Sequence, residues 1–237
     1  MKTSPIIALD FESADKTFDF LRVFDGNVNV KVGMQLYYKE GPAIVARLKE
    51  LGFDIFLDLK LHDIPNTVKS AMEVLAGFGV DLVNVHAAGN KTMMEAALEG
   101  LDKGTPSGMT RPSLIAVTQL TSTDERQVRE EQLIGASLQE SVLHYAKLTK
   151  DAGLDGVVCS VHEAAVITEV CGKSFFKVTP GIRLPDGGAH DQKRIATPEQ
   201  ARLEGSTHIV VGRAITGATD PRAAYEQIEA LWKGTEA

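Results

Sequence analysis

Eight short apolar runs, separated by segments of helical periodicity, constrain the fold of this sequence more than any other feature. The runs are rich in β-branched residues and cover residues 6–10, 27–33, 54–60, 80–86, 113–120, 155–160, 175–180 and 208–212. The segments between them repeat apolar residues every three or four positions, as Val68, Met72 and Leu75 do. Because strands covered by helices on both sides lose the polar alternation, this rhythm predicts a parallel sheet built of βα units.

The number of units favours a closed (β/α)8 TIM barrel of the α/β class. At 237 residues and 43% hydrophobic content, the chain can bury one large core, so we expect a single domain over residues 1–237. An open doubly wound sheet is the alternative, but no GxGxxG motif follows the first strand, where Asp10 leads into Phe11. The polar stretch from Gly104 to Ser113 precedes a strand and is expected on the non-catalytic face of the barrel.

The charge balance argues against nucleic acid and membrane surfaces as partners. The formal net charge is −7, and no run of like charges occurs. The first fifteen residues contain acids, and no apolar run approaches the roughly 18 residues of a membrane span, so a cytoplasmic location is expected. Cys159 and Cys171 are the only cysteines, and we interpret them as buried small hydrophobic residues.

The segment DIFLDLKLHDIPNT, residues 54–67, carries the most informative charges. Asp58 and Lys60 are two positions apart in a strand and should share a face, and Asp63 follows in the turn that leaves the strand. Lys31 lies between two valines in the preceding run, so its ammonium is also expected inside the barrel, where it needs carboxylate partners. Opposite charges at short distance would keep both lysines protonated and the acids ionised.

Polar residues also end most of the other strands, where barrels carry their active sites. The strand-end residues are Asp10, Lys31, Asp58, Lys60, His86, Thr121, Arg183 and Arg213. Solvated strand ends, or a buried ion-pair network that only closes the barrel, would be structural explanations. Metal binding by Asp58, His62, Asp63 and His86 is a further alternative, against which the positive charge of the two lysines argues.

The carboxyl ends of the last two strands favour a phosphate site. Gly212 permits close backbone approach and Arg213 supplies a guanidinium, in the region where barrels frequently bind phosphate. The seventh strand leads into TPGIRLPDGGAHDQKR, residues 179–194, which contains Arg183 and Gln192 and is long enough to close over a ligand. A mobile surface loop is the alternative interpretation of this segment.

These motifs resemble those of the orotidine 5′-phosphate decarboxylase family, from Ile6 through Arg213. The resemblance rests on LDF, VKVG, DLKLHDIPNT, VTQLTS, TPGIR and VVGRAIT, at the first, second, third, fifth, seventh and eighth strands. It implies decarboxylation of orotidine 5′-phosphate to UMP and CO2 in pyrimidine biosynthesis, without a metal or an organic cofactor. It also implies a homodimer in which Asp63 and Thr67 reach the active site of the partner subunit.

The resemblance further implies a role for each matching residue. Lys31, Asp58, Lys60 and Asp63 would form an alternating charge tetrad, with Lys60 as the proton donor. Asp10 and Lys31 would contact the ribose, and Thr121 the pyrimidine. Gln192 would bridge the base and the phosphate, and the phosphate would be bound by Gly212, Arg213 and Arg183. Ile64 and Pro180 would also belong to the substrate site. A carbanion at C6 cannot delocalise into a π system, so a fixed cation such as Lys60 suits this reaction.

Two other functions remain open from the residues alone. Related barrels with a DxKxxD strand include Mg²⁺-dependent sugar-phosphate decarboxylases and aldolases, which are expected to carry an acid where this chain has Lys31. A non-catalytic phosphate-binding barrel would retain the fold without the reaction. Activity that is insensitive to chelators would separate these possibilities.

Overall fold

The computed structural model describes residues 3–24, 28–184 and 194–235. Within these residues, eight parallel strands form a closed barrel in chain order, and the first strand also pairs with the eighth. The predicted (β/α)8 architecture is therefore confirmed, and the open doubly wound sheet is excluded.

Each of the eight apolar runs contains one strand. The strands are β1 (Ile6–Ala8), β2 (Asn29–Gly33), β3 (Asp54–Leu61), β4 (Leu82–His86), β5 (Ser113–Val117), β6 (Gly156–Val158), β7 (Phe176–Thr179) and β8 (His208–Val211). Several strands are shorter than their runs; β1, for example, ends two residues before Asp10. Asp10, Thr121 and Arg183 therefore lie in loops after their strands, whereas Lys31, Asp58 and Lys60 lie within β2 and β3.

Ten α-helices occupy the described parts of the chain, and most of them cover the outside of the barrel. They are α1 (Ala14–Leu21), α2 (Met34–Glu40), α3 (Pro42–Glu50), α4 (Pro65–Ala76), α5 (Asn90–Gly104), α6 (Leu138–Asp151), α7 (Ala164–Cys171), α8 (Pro198–Leu203), α9 (Arg213–Thr216) and α10 (Pro221–Lys233). The sequence fixes several starts: proline begins α3, α4, α8 and α10, and Ser137 with Glu140 forms a capping box at α6. A π-helical turn, Gln127–Glu131, lies between β5 and α6.

The core has two layers, which follow from the alternation of side chains along the strands. One cluster lies between the sheet and the helices and includes Ile7, Val30, Ile55 and Val83. A smaller cluster fills the barrel, and its buried members are Ile6, Ala8, Phe56, Leu82, Ile115, Val178 and Val210. Both faces of the strands are therefore buried, which explains their continuous apolar character.

Strand register places Lys31 on the barrel side of β2. Lys31 is level with Ala8 on one neighbouring strand and with Phe56 on the other, and both of these side chains belong to the inner cluster. Gly33 leaves room for the lysine: a Cβ atom there would lie 3.0 Å from Lys31 Nζ and 3.2 Å from Asp10 Oδ1. The VKVG motif thus combines an inward cation with the space that it needs.

The amino-terminal ends of the strands lie at the other end of the barrel, away from the charged residues that end the runs. The connection from Gly104 to Ser113 enters the amino-terminal end of β5, as predicted.

Cys159 and Cys171 are buried and not joined in a disulfide, which confirms their interpretation as small core residues. No helix in the described part of the chain combines the length and the apolar character that crossing a membrane needs.

A buried histidine at the amino-terminal end of β8 should make the fold sensitive to acid. His208 begins β8, packs edge-on against Phe176 and is 5% exposed. Burial lowers the pKa of His208 from 6.5 to about 4. The unfolded chain therefore binds a proton between pH 6.5 and 4 that the folded chain does not, so we expect a stability loss of up to about 3 kcal/mol across this window.

Urea unfolding at pH 7.5, 6 and 5 tests this expectation. His208→Gln should reduce the loss of unfolding free energy on acidification, whereas the same change at the exposed His144 should leave it as in the unmodified chain. Identical pH dependence in the unmodified chain and His208→Gln would contradict the assignment.

Candidate active site

Two adjoining cavities open at the carboxyl ends of the strands. One has a volume of about 330 Å3 and the other about 230 Å3, and both are lined by Asp10, Lys31, Pro180 and Val210. Because these shared residues lie between the two cavities, one extended ligand could occupy both. We refer to the larger as the arginine cavity and to the smaller as the lysine cavity.

Charged side chains from β2, β3 and the loop after β1 meet at this junction. Lys31 Nζ lies 2.9 Å from Asp10 Oδ1 and 3.4 Å from Asp58 Oδ2. Lys60 Nζ lies 2.7 Å from Asp58 Oδ1. Asp58 therefore bridges two ammonium groups, and the predicted clustering of Lys31, Asp58 and Lys60 is observed.

The contact between Asp58 and Lys60 depends on an irregularity in β3. The register of β3 against β4 shifts between Leu57 and Leu61, and Lys60 has a positive φ of 54°. Such a backbone conformation is uncommon for a residue other than glycine and is often found at functional sites. The Lys60 side chain lines the lysine cavity together with Asp58, as strand alternation predicted, but the irregular backbone at Lys60 was not predicted.

Asn84, inside β4, holds this irregularity in place. Its side-chain amide donates to Asp58 Oδ1 at 2.6 Å, and its carbonyl oxygen accepts from the Lys60 backbone N–H at 2.8 Å. Asn84 was not among the site residues predicted from the sequence. The available indication was an amide in the otherwise apolar run LVNV, residues 82–85, because such a group needs hydrogen-bond partners when it is buried.

The surroundings keep this cluster charged. Burial alone would raise the pKa of Asp58, but Lys31 and Lys60, with hydrogen bonds from Lys60 and Asn84, outweigh it and lower the pKa. Burial alone would lower the pKa of Lys31, but Asp58 and Asp10 outweigh it and raise the pKa. Asp58 is therefore ionised and Lys31 protonated at neutral pH. Because protein groups rather than water hold these charges in place, the cluster provides a preorganised electrostatic field.

Three residues predicted for the site lie apart from this cluster within the chain. Asp63, Ile64 and Thr67 are all exposed, and the Asp63 carboxylate accepts a hydrogen bond from the Ile64 N–H at 2.6 Å. In one copy of the chain, Asp10 rather than Asp63 completes the cluster. The predicted placement of Asp63 and Thr67 in a partner's site stays a prediction.

The lysine cavity has the character of a site for a flat, partly polar ring. Its apolar walls come from Phe56, Val117, Val158, Val178 and Val210. Its rim includes the polar residues Gln119 and Thr121, with Leu120 between them, in the segment that follows β5. Thr121 therefore lines this cavity, and its contact with a pyrimidine stays a prediction.

The arginine cavity has the character of an anion site. Arg183 is buried, and its Nη1 donates a hydrogen bond to the carbonyl oxygen of Ile182 at 2.7 Å. Arg213 is exposed at the start of α9. Both arginines line the cavity with Pro180 and Gly212, and their binding of a phosphate stays a prediction. A Cβ atom on Gly212 would meet Ala8 only at 3.8 Å, so the glycine serves no tight packing and leaves the backbone open to a ligand. Gln192, like the rest of residues 185–193 in the segment predicted to close over a ligand, lies outside the described residues.

The histidines beside the cluster do not complete a metal site in the described residues. His62 and His86 pack with their ring centroids 5.7 Å apart. The pKa of His86 is lowered, first by burial and then by the nearby His62 and Lys60, and Asp58 opposes this effect. No group of three or more His, Cys, Asp or Glu side chains in residues 3–24, 28–184 and 194–235 is arranged to hold a metal ion.

Replacing Asn84 should damage both the fold and the site. Asn84→Ala leaves Asp58 without an amide donor and the Lys60 N–H without its acceptor, at about 1–3 kcal/mol of unfolding free energy for each buried group. We expect turnover to fall at least about tenfold because Lys60 is no longer held in place. Thermal unfolding and steady-state kinetics measure the two effects.

Asn84→Asp provides the sharper comparison. It keeps the acceptor for Lys60 but puts a second carboxylate against Asp58, so activity should fall further than in Asn84→Ala. Full activity and stability in both variants would show that the amide bridge is dispensable.

Comparisons with known proteins agree with this geometry over nearly the whole chain. The model of the family described as "Orotidine 5′-phosphate decarboxylase / HUMPS family" matches residues 3–228. The protein named orotidine 5′-phosphate decarboxylase from Lysinibacillus sphaericus (strain C3-41) is 66% identical over 233 residues, which cover 98% of this chain and all of the relative. The protein of the same name from Bacillus caldolyticus is 62% identical over 237 residues, covering all of this chain and 97% of the relative.

Solved structures show the same similarity. The crystal structure of orotidine 5′-phosphate decarboxylase from Lactobacillus acidophilus superimposes with a TM-score of 0.88 at 43% identity, covering 97% of this chain and 98% of the other. A Geobacillus kaustophilus protein described as uncharacterized gives a TM-score of 0.86 at 58% identity, covering 96% and 99%. The chain therefore belongs to the orotidine 5′-phosphate decarboxylase / HUMPS family.

Proposed function

We propose that this chain decarboxylates orotidine 5′-phosphate to UMP and CO2 in pyrimidine biosynthesis, as a carboxy-lyase. The names of its full-length relatives support this activity. The observation that carries it is the Lys31–Asp58–Lys60 cluster in a cavity suited to a ring, with Lys31 also lining an adjoining cavity that has two arginines. A nucleotide has the matching order of base, ribose and phosphate.

The substrate would span both cavities. The pyrimidine occupies the lysine cavity beside Thr121, and the phosphate occupies the arginine cavity beside Arg183 and Arg213. Asp10 and Lys31 line both cavities and therefore face the ribose. This arrangement brings C6 of the base toward Lys60.

Lys60 performs the chemical step in this proposal. The bond between C6 and the carboxyl carbon breaks, its electron pair stays on C6, and the nearby ammonium stabilises that charge. A proton then moves from Lys60 Nζ to C6, which yields UMP and a neutral amine that solvent reprotonates. Asp58 holds Lys60 in position and, as an ionised group near the substrate carboxylate, also destabilises the bound ground state.

The Mg²⁺-dependent sugar-phosphate reactions of related barrels fit the cluster less well. Lys31 lies between Asp10 and Asp58, so an ammonium occupies the space where a divalent ion would need free carboxylate oxygens. Loss of the orotate absorbance of orotidine 5′-phosphate in the presence of EDTA tests the proposal directly. Binding without loss of absorbance would favour a non-catalytic barrel, and activity that EDTA abolishes would favour the metal-dependent reaction.

A homodimer would complete each site. Ile64 is 67% exposed beside the exposed Asp63 and Thr67, at the end of the barrel that carries the site. We propose that a second copy of the chain covers this surface and receives Asp63 and Thr67 into its own site. The cytoplasmic location also stays a prediction.

Mixing two inactive variants tests the shared site. Lys60→Ala and Asp63→Ala should each be nearly inactive, but a hybrid dimer contains one site with both native residues. After co-refolding of equal amounts, random pairing should restore about one quarter of the unmodified activity. No recovery, with hybrid dimers confirmed by differential tagging, would contradict sharing across the interface.

A further inference from the structure

A turn after β5 carries the polar rim of the lysine cavity. In this turn, Leu120–Thr123, the Thr123 N–H donates to the Leu120 carbonyl at 2.9 Å, and Thr121 faces the cavity. The preceding Gln119 side chain exchanges two hydrogen bonds with Gln132, at 2.9 and 3.1 Å, and also donates to Ser141 Oγ at 3.1 Å. The turn is therefore anchored on the side of the π-helical segment.

Arg194 anchors the same turn from the opposite side. Its Nη2 donates to the Leu120 carbonyl at 2.8 Å and lies 3.5 Å from the Gln119 carbonyl. Its Nη1 pairs with the Glu163 carboxylate and lies 3.5 Å from Ser160 Oγ. One guanidinium thus joins the loop after β5 to the loop after β6.

This ion pair is well shielded from solvent. The Arg194 side chain is 15% exposed and the Glu163 side chain 8%. Glu163 is itself fixed, because its second carboxylate oxygen accepts from the Ser160 N–H at 2.8 Å. A planar guanidinium with two fixed donor directions can span Glu163 and Leu120 at once, whereas a point cation cannot.

We propose that Arg194 is a positioning residue for the pyrimidine, acting through the Leu120 carbonyl on the turn that carries Thr121. Arg194 lies behind the turn and does not line the lysine cavity. The inference rests on the proposed function, because it takes the pyrimidine as the ring that the turn contacts. It assigns to Arg194 an effect on base binding that is independent of the phosphate.

Two variants separate this role from simple stabilisation of the fold. Arg194→Lys keeps a cation beside Glu163 but loses the donor to Leu120. The double variant Glu163→Gln with Arg194→Met removes both charges, so no buried carboxylate is left unpaired. The matched control is Arg111→Lys, because Arg111 also pairs with a carboxylate, Asp155, and with a backbone carbonyl, Pro112 O, but at the other end of β5.

The measurement compares two ligands by calorimetry. In both Arg194 variants, the Kd of UMP should rise about 10- to 100-fold, the loss expected for one charge-assisted hydrogen bond. The Kd of ribose 5-phosphate, which lacks the base, should stay within about twofold. Arg111→Lys should lower the Tm and leave both dissociation constants unchanged. Steady-state kinetics should show an equal loss of kcat/KM on orotidine 5′-phosphate and on the phosphate-free nucleoside.

Three results would overturn the proposal. They are an unchanged Kd for UMP in the folded double variant, an equal weakening of ribose 5-phosphate, and a loss confined to phosphate-bearing ligands. The binding comparison needs no turnover, so it judges Arg194 even if the unmodified chain fails the absorbance assay, a failure that would count against the proposed function instead.

Discussion

Lys60→Ala should abolish decarboxylation while leaving UMP bound. The variant loses both the cation that stabilises the C6 carbanion and the proton that reaches C6, for which we expect a fall in kcat on the order of 10⁵-fold or more, about 7 kcal/mol. UMP carries no charge at C6, and its contacts with the arginine cavity remain. Its Kd should therefore change little, which calorimetry or equilibrium dialysis measures.

Lys60→Ala also removes one partner of the buried Asp58, so a loss of activity must be distinguished from a loss of the fold. Removing Lys60 leaves Asp58 with Lys31 and Asn84 as its remaining partners, so the carboxylate stays paired and the fold should persist. Lys103→Ala, which breaks an exposed pair with Glu73 on the helices, should keep full activity. Near-normal turnover of folded Lys60→Ala would refute the proton-donor role.

The sequence predicted most of the fold because its pattern is repetitive. Continuous apolar runs with helical segments between them require a buried parallel sheet, and eight such units are enough to close a barrel. The same repetition placed Lys31, since alternation with Val30 and Val32 leaves it on the barrel side of β2. These features depend on local periodicity, which a single sequence displays directly.

Features that depend on contacts between strands were harder to predict. The register shift at Lys60 arises where β3 passes Asn84 on β4, 24 residues away. The Arg194 contacts join residues 31 and 74 positions apart, and nothing in the periodicity of either segment indicates them. The sequence also grouped Asp63 with Asp58 and Lys60, because the three lie within six residues. Asp63 is exposed in the turn after β3, and its placement in a partner's site stays a prediction.

Arg213→Ala should slow the decarboxylation of the nucleotide and leave that of the phosphate-free nucleoside nearly unchanged. Arg213 lines the arginine cavity, remote from Lys60, and contacts only the phosphate in our proposal. Losing a charge-assisted contact to that dianion should lower kcat/KM on orotidine 5′-phosphate by about 10²- to 10³-fold. The slow reaction of phosphate-free orotidine should barely change, and both rates can be followed by the loss of orotate absorbance.

The pair of substrates distinguishes the two ends of the site. If phosphate binding energy is used to organise the residues around C6, part of the loss on the nucleotide will appear in kcat rather than in KM alone. Added phosphite, which fills the arginine cavity without the nucleoside, should then accelerate orotidine turnover by the unmodified chain and much less by Arg213→Ala. Arg22→Ala, at an exposed pair with Asp19, should behave as the unmodified chain. Equal losses on both substrates would mean that Arg213 supports the barrel or the base, and the assignment of the arginine cavity to phosphate would fail.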